Sequence, residues 1–247
     1  PQEIFFYRFL IAYLGIWVIS PKRLFTNNWQ DELWLVAGGI FGGSLYFFTE
    51  NTALGITQAS NVSFIICTAP LLTTILSLLF YKSEKASKGL IYGSLLALMG
   101  VGLIVFNGSF VLKISPIGDL LTLLAALSWA FYSLIIKKMA GRYPTIFITR
   151  KIFFYGVLTI LPAFLLHPLH PDTVVLLQPA VLFNLLFLAV LASLICYVLW
   201  NLVLKQLGTV RASNYIYLNP LFTLLGSAIL LDEHLTVIAL IGAACIM

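Results

Sequence analysis

Charge is scarce in this sequence. Only 9% of its 247 residues are Asp, Glu, Lys or Arg, against 61% that are hydrophobic. A water-soluble domain carries about 25% charged residues and keeps its apolar share near half. So few charges cannot clothe so large an apolar content in water, and a soluble fold is excluded. Acidic residues are the rarer sign, nine against fourteen basic ones, which leaves a net charge of +5. In a soluble protein that excess would point to nucleic acid. In a bilayer it reports loop charges that set orientation, and no nucleic-acid partner is expected. Cysteine is sparse too: Cys67, Cys196 and Cys245 all stand in apolar stretches and make no disulfide framework.

Catalytic and nucleotide motifs are also missing. There is no GxGxxG, no P-loop and no nucleophile–base set, so ATP-driven transport within this chain is not expected. His167 and His170 flank prolines and His234 stands alone. Two nearby histidines without a third ligand do not make a zinc site, and neither metal nor cofactor is expected. Runs of about ten alternating residues, the mark of a β-barrel, are absent, and no long polar linker divides the chain.

What is present is a series of apolar runs. Nine of them, near 4–20, 33–54, 58–81, 88–107, 117–138, 146–166, 180–204, 212–231 and 236–247, approach the roughly 20 residues needed to cross the hydrocarbon core. The class is all-α integral membrane, with lipid as an obligatory partner. Basic residues alternate from loop to loop. Lys22, Arg23, Lys82, Lys85, Lys88, Lys137, Lys138, Arg142, Arg150, Lys151, Lys205 and Arg211 fall on one side and Lys113 alone on the other. The rich side is the cytoplasmic one by the positive-inside tendency.

The chain repeats itself. "PLLTTILSLLFYKSE" at Pro70–Glu84 returns as "PLFTLLGSAILLDE" at Pro220–Glu233, each copy preceded by Ala-Ser-Asn, at Ala59–Asn61 and Ala212–Asn214. "IFFYR" at Ile4–Arg8 matches "IFITR" at Ile146–Arg150, and "ALMGVGLIV" at Ala97–Val105 aligns with "ALIGAACIM" at Ala239–Met247. Glu84 closes its copy on the basic side and Glu233 on the basic-poor side, so the halves are inverted and each holds an odd number of spans. An internally repeated carrier is implied. The halves are 1–110 and 111–247, with five runs in the second and four in the first. A trimmed first helix of a ten-helix protein is expected; an unequal nine-helix protein is the alternative.

The ordered set "ALSWAFYSLIIKK" at Ala126–Lys138, "YVLWNLVLKQLGTVRASNYIYLNPLF" at Tyr197–Phe222, "LLDEHLT" at Leu230–Thr236 and the Pro70–Glu84 copy resembles the drug/metabolite transporter superfamily, specifically its EamA-type ten-helix exporters. The resemblance covers essentially the whole chain. It implies two inverted five-helix repeats, a central cavity and alternating access, with amino acids, related small metabolites or drugs as cargo. It implies secondary export in a bacterial-type inner (plasma) membrane. It leaves cargo, direction and oligomeric state, monomer or homodimer, open. An uptake or exchange carrier of the same fold is the runner-up, and an intramembrane enzyme the reading from another class.

The residues themselves name cavity candidates. Glu50, in "YFFTENTALG", is a carboxylate inside a span, which costs roughly 2.5–3.5 kcal/mol at mid-helix and less near an end. It reads as a contact for a substrate amine, as a site of proton coupling, or as a hydrated interfacial acid. Helical spacing groups Trp129, Tyr132 and Ser133 on one face, and Ser193, Tyr197, Trp200 and Asn201 on another. Aromatic faces with a few polar tips suit a small-molecule cavity. Asn61 and Asn214, with Tyr217, join these candidates. Pro70 and Pro220 are hinge candidates, because proline withdraws a backbone donor one turn back. Trp17, Trp29 and Trp34 read as interfacial anchors, and Arg8 and Arg150 as snorkelling anchors. Glycine stripes at Gly38, Gly39, Gly42 and Gly43 and at Gly89, Gly93, Ala97 and Gly100 allow close helix contact, inside the monomer or, for the second, in a dimer.

Overall fold

A peptide group in hydrocarbon has no water to bond, so a chain this apolar must satisfy its backbone internally. The computed structural model describes residues 2–21, 25–26, 28–81, 88–106, 115–166, 176–230 and 236–247, and among them it is helical with no strand. The helices fall in nine runs among these residues, at 2–19, 29–56, 59–80, 88–106, 116–140, 145–166, 179–207, 209–230 and 237–246. Six are long and apolar enough to cross a membrane: Gln2–Ile19, Ala59–Phe80, Lys88–Phe106, Pro116–Ala140, Thr145–Leu165 and Pro179–Leu207. Of the others, 29–56 carries Asp31, Glu32 and Glu50, 209–230 is broken by a 3-10 turn at Tyr215–Leu218, and Val237–Ile246 has ten residues. The protein is all-α and multi-pass. The loop charges Lys22, Arg23, Lys82, Lys85 and Lys113, the ends Glu84 and Glu233, and His167, His170 and His234 lie outside the described residues.

The helices pack as two compact units, Pro1–Phe48 with Phe131–Gly208, and Thr49–Ala130 with Thr209–Met247. Neither unit coincides with a sequence half. Each takes corresponding helices from both.

In the first unit Gln2–Ile19 lies against Thr145–Ile160 and against Phe187–Ile195. Phe5, Phe9, Ile16, Ile148, Ile152 and Phe153 are buried there, and Phe9 meets Phe153 edge to face with centroids 5.1 Å apart. Two stretches are wound as π-helix, Ile40–Ser44 and Phe187–Ile195. Each belongs to the helix that follows the aligned segments Ile4–Arg8 and Ile146–Arg150, so the two occupy corresponding helices of the halves. Such bulges are rare and collect at functional sites. The glycine stripe of 38–43 serves internal packing: a Cβ on Gly39 would stand 2.5 Å from the Tyr155 Cβ, and one on Gly42 2.2 Å from the Tyr132 ring. Cys196–Leu207 stops at Gly208, whose φ of 78° is a left-handed conformation open to glycine.

In the second unit Lys88–Phe106 and Val237–Ile246 are the most extensively paired helices. Their backbones meet at two glycines. A Cβ on Gly100 would lie 2.5 Å from the Gly242 carbonyl oxygen, and one on Gly242 2.6 Å from that of Gly100. Of the same stripe, Ala97 is buried and Gly93 faces open space.

Candidate functional site

Two prolines shape the second unit. The 59–80 run breaks at Cys67–Thr68, just before Pro70, and the 209–230 run breaks at Tyr215–Leu218, just before Pro220. A proline cannot donate to the carbonyl four residues back. Those carbonyls belong to Ile66 and Ile216, and both residues line one cleft. At Ile216 the Asn219 N–H takes over in a 3-10 bond, while Thr74 Oγ1 donates to the Pro70 carbonyl at 2.9 Å. The hinge candidates thus sit where the backbone departs from α-helix.

The cleft has a volume of about 530 Å³ and is confined to the second unit. That is within the size of small-molecule sites. Glu50 and Asn219 supply its charged and amide groups, and Ser60 and Ser63 its hydroxyls. Leu54, Val62, Ile104, Val105 and Leu224 supply apolar wall, and Pro220 closes it. Glu50, half-buried, is the one charged side chain among the described lining residues. Asn61 is buried between the lining residues Ser60 and Val62 but does not itself line the cleft. Asn214 instead accepts a hydrogen bond from Ser94 Oγ at 3.2 Å. Nine residues separate Asn61 from Pro70 and six separate Asn214 from Pro220, so the two asparagines differ in depth once the prolines are aligned. Tyr217 is buried against Cys67, Ala97 and Val101. Trp129, half-buried on Pro116–Ala140, is not a cleft residue.

The remaining aromatic candidates converge in the first unit, in its packed interior. Tyr132, Tyr197 and Asn201 are 0%, 4% and 1% exposed. The Tyr132 hydroxyl donates to Asn201 Oδ1 at 2.7 Å, Asn201 Nδ2 donates to Thr149 Oγ1 at 2.9 Å, and Thr149 Oγ1 donates to the Thr145 carbonyl at 2.9 Å. The Tyr197 hydroxyl donates to the Gly42 carbonyl at 2.5 Å, on the π-helical stretch. Ser193, one turn before Tyr197, accepts from Arg8 Nε at 2.9 Å. Trp200 is half-buried on the same helix. The polar face read from the spacing therefore points inward, where buried donors must find protein partners.

Two expectations fail here. Arg150 is 1% exposed and its Nη1 donates to the Ser20 carbonyl, so it is no snorkelling anchor. Arg8 is half-buried on Ser193 with its guanidinium 4.5 Å from the Phe47 ring centroid. Snorkelling needs a lipid-facing stem, and both helices turn these residues toward their neighbours. Trp17, Trp29 and Trp34 are exposed, and Lys138 Nζ stands 3.7 Å above the Trp34 ring.

Sequence reading missed a charge cluster at one end of this unit. Asn28 caps the helix that opens at Trp29, its Oδ1 accepting from the Gln30 N–H at 3.0 Å, and Asp31 and Glu32 occupy the first turn. Glu32 accepts from Lys151 Nζ, from the Tyr155 hydroxyl, and from Thr26 Oγ1 at 2.6 Å. Lys151 is 0% exposed, and its Nζ lies 4.7 Å from the Phe25 ring centroid. Asp31 accepts from Arg142 Nη1 at 2.5 Å and from the Tyr143 hydroxyl at 2.8 Å. The available signal was two adjacent acids opening one apolar run and Arg150-Lys151 opening another on the same side by the loop charges. Among the described residues no His, Cys, Asp or Glu group gathers to hold a metal ion.

Comparison with known proteins agrees with this architecture. A sequence profile of the EamA-like transporter family matches residues 1–106 and 116–247. An uncharacterized transporter of Archaeoglobus fulgidus is 29% identical over 238 residues, which is 94% of this chain and 80% of that protein. A probable amino-acid metabolite efflux pump of Escherichia coli (strain K12) is 24% identical over 244 residues, 96% of this chain and 80% of the relative. One crystal structure superposes with a TM-score of 0.80 at 19% identity, spanning 100% of this chain and 84% of that one, a likeness of fold.

Proposed function

The chain belongs to the EamA-like transporter family of the drug/metabolite transporter superfamily, and on that premise we propose that it is a secondary active exporter of small metabolites in the plasma membrane. Two inverted repeats, 1–110 and 111–247, would rock about the solute in alternating access. The observation that carries this reading is the solute-sized cleft of about 530 Å³, bounded by helices broken at Pro70 and Pro220. The repeat is supported by Gly100 and Gly242. They occupy the same place in the aligned segments and each approaches the other's carbonyl, as equivalent residues do beside a two-fold axis. The name of the Escherichia coli relative makes amino acids and related compounds the first cargo to try.

Proton coupling is assigned to Glu50, a carboxylate that can bind and release a proton in the cleft. The test is reconstitution into proteoliposomes with amino acids, nucleosides and cationic drugs, with and without a pH gradient. Flux of at least one solute, accelerated by the gradient, is expected. No flux from folded protein overturns the carrier reading. Flux whose pH dependence is unchanged by Glu50→Gln overturns the coupling role alone.

A further inference from the structure

The basic residues at one end of the first unit are of two kinds. Lys151 is spent on Glu32 and Arg150 on the Ser20 carbonyl, both inside the packing. Lys138 and Arg142 stand one turn apart where Pro116–Ala140 ends, and both lean on the helix that opens at Trp29. Arg142 meets Asp31 there, and Lys138 meets Trp34, one turn beyond Asp31. These are neighbouring rungs of one seam, whose next rung is the approach of Gly38 to Ile135. The deeper part of the seam is apolar, and its end carries two cations.

The two charges are not equally matched. Asp31 has both oxygens occupied, by Arg142 Nη1 and by the Tyr143 hydroxyl, and it balances one cation. Lys138 has no carboxylate partner among the described residues; its Nζ rests 3.7 Å above the Trp34 ring. A ring quadrupole orients an ammonium and does not neutralise it. The place is also open. The Arg142 side chain is 54% exposed, Trp34 is 40% exposed, and a Cβ on Gly141, between the two cations, would meet nothing within 4 Å. The exposed Trp29 and Trp34 set this end at the depth of the lipid headgroups, where tryptophan rings collect. The complement of an unbalanced cation at that depth, beside an exposed apolar ring, is an anionic headgroup with its chains attached.

We propose that this end of the first unit binds an anionic phospholipid, its phosphate on Lys138 and the exposed edge of Arg142 and its chains descending along Trp34. The lipid ties the end of Pro116–Ala140 to the opening of Trp29–Gly39.

The purified full chain, stripped of lipid in detergent, is offered an equimolar mixture of dioleoyl phosphatidylglycerol and dioleoyl phosphatidylcholine, and the first bound lipid is counted by native mass spectrometry. Phosphatidylglycerol should be preferred about fivefold or more, the ratio that one lysine near an anionic headgroup produces. Lys138→Gln should remove that preference, and Lys138→Arg should keep it. Lys205→Gln, which removes an exposed lysine from the last turn of another helix of the same unit, should leave it unchanged. Raising the ionic strength should shrink the preference of the parent. Phosphatidylglycerol with brominated chains should quench the parent's tryptophan fluorescence more than brominated phosphatidylcholine does, and Trp34→Phe should remove the difference. If Lys138→Gln does not fold, the salt dependence and the quenching decide. Equal occupancy by the two lipids, a preference that survives Lys138→Gln or salt, or one that Lys205→Gln lowers as much, overturns the proposal. So does displacement of phosphatidylglycerol by inorganic phosphate at the same concentration, which would make this a site for soluble anions.

Discussion

At the scale of single residues the costliest contact is Glu32 with Lys151. The lysine side chain is 0% exposed and the glutamate side chain 9% exposed, so removing one partner strands the other away from water. Breaking a buried pair costs about 3–5 kcal/mol, while replacing the whole pair by hydrocarbon is often neutral. Glu32→Gln should therefore lower the thermal midpoint in detergent sharply. Glu32→Leu combined with Lys151→Met and Tyr155→Phe should recover most of the loss, because the two buried donors go with their acceptor and only the half-buried Thr26 is left to find another. If the single variant melts like the parent, the pair is not buried as described. Tyr132→Phe tests the neighbouring network more gently: it leaves Asn201 Oδ1 without its donor and should cost about 1–3 kcal/mol in the same assay. The Tyr197 and Asn201 face was legible from i, i+4 spacing, since spacing fixes a helix face. What that face meets was not, because Thr149 and Gly42 are far away in sequence. The Glu32–Lys151 pair was hidden for the same reason: its partners lie 119 residues apart.

At the scale of helices, small residues decide where backbones touch. Between two apolar helices in lipid the hydrophobic effect gives little net drive, so close packing carries the association. Gly100 and Gly242 are the contact between Lys88–Phe106 and Val237–Ile246, and the obstacle to any side chain there is backbone oxygen, which cannot swing aside. Gly100→Ala should force the helices apart and cost about 1–3 kcal/mol. Gly93→Ala, on the same helix with nothing within 4 Å, should be neutral or slightly stabilising, since Ala exceeds Gly in helix propensity by about 1 kcal/mol. Paired thermal melts of the two variants distinguish a packing effect from a propensity effect, and equal melting points would refute the contact. The sequence displayed both glycines in one stripe and could not rank them. A stripe gives a face, and only the partner helix shows which of its members is covered.

At the scale of the molecule the nine runs and their class were readable because hydrocarbon thickness constrains length and composition together. The packing units were not readable. Repeats in sequence invite the picture of two separate halves, yet each unit joins corresponding helices of both. Lys88–Phe106 of the first half packs on Val237–Ile246 of the second, and Gln2–Ile19 packs on Thr145–Ile160. A half on its own would leave the partner faces of these helices uncovered: Phe9 without Phe153, Gly100 without Gly242. Local contacts within a half cannot compensate, because the longest interfaces cross between halves. Expressed alone, 1–110 and 111–247 should each be degraded or aggregate in the membrane. Expressed together as two chains, they should co-purify and melt near the intact protein, since the cut at residue 110 severs no described helix. A half that is protease-resistant alone, with a thermal transition like that of the whole, would show that each repeat is its own folding unit and that the interlocked arrangement is not what stabilises the protein.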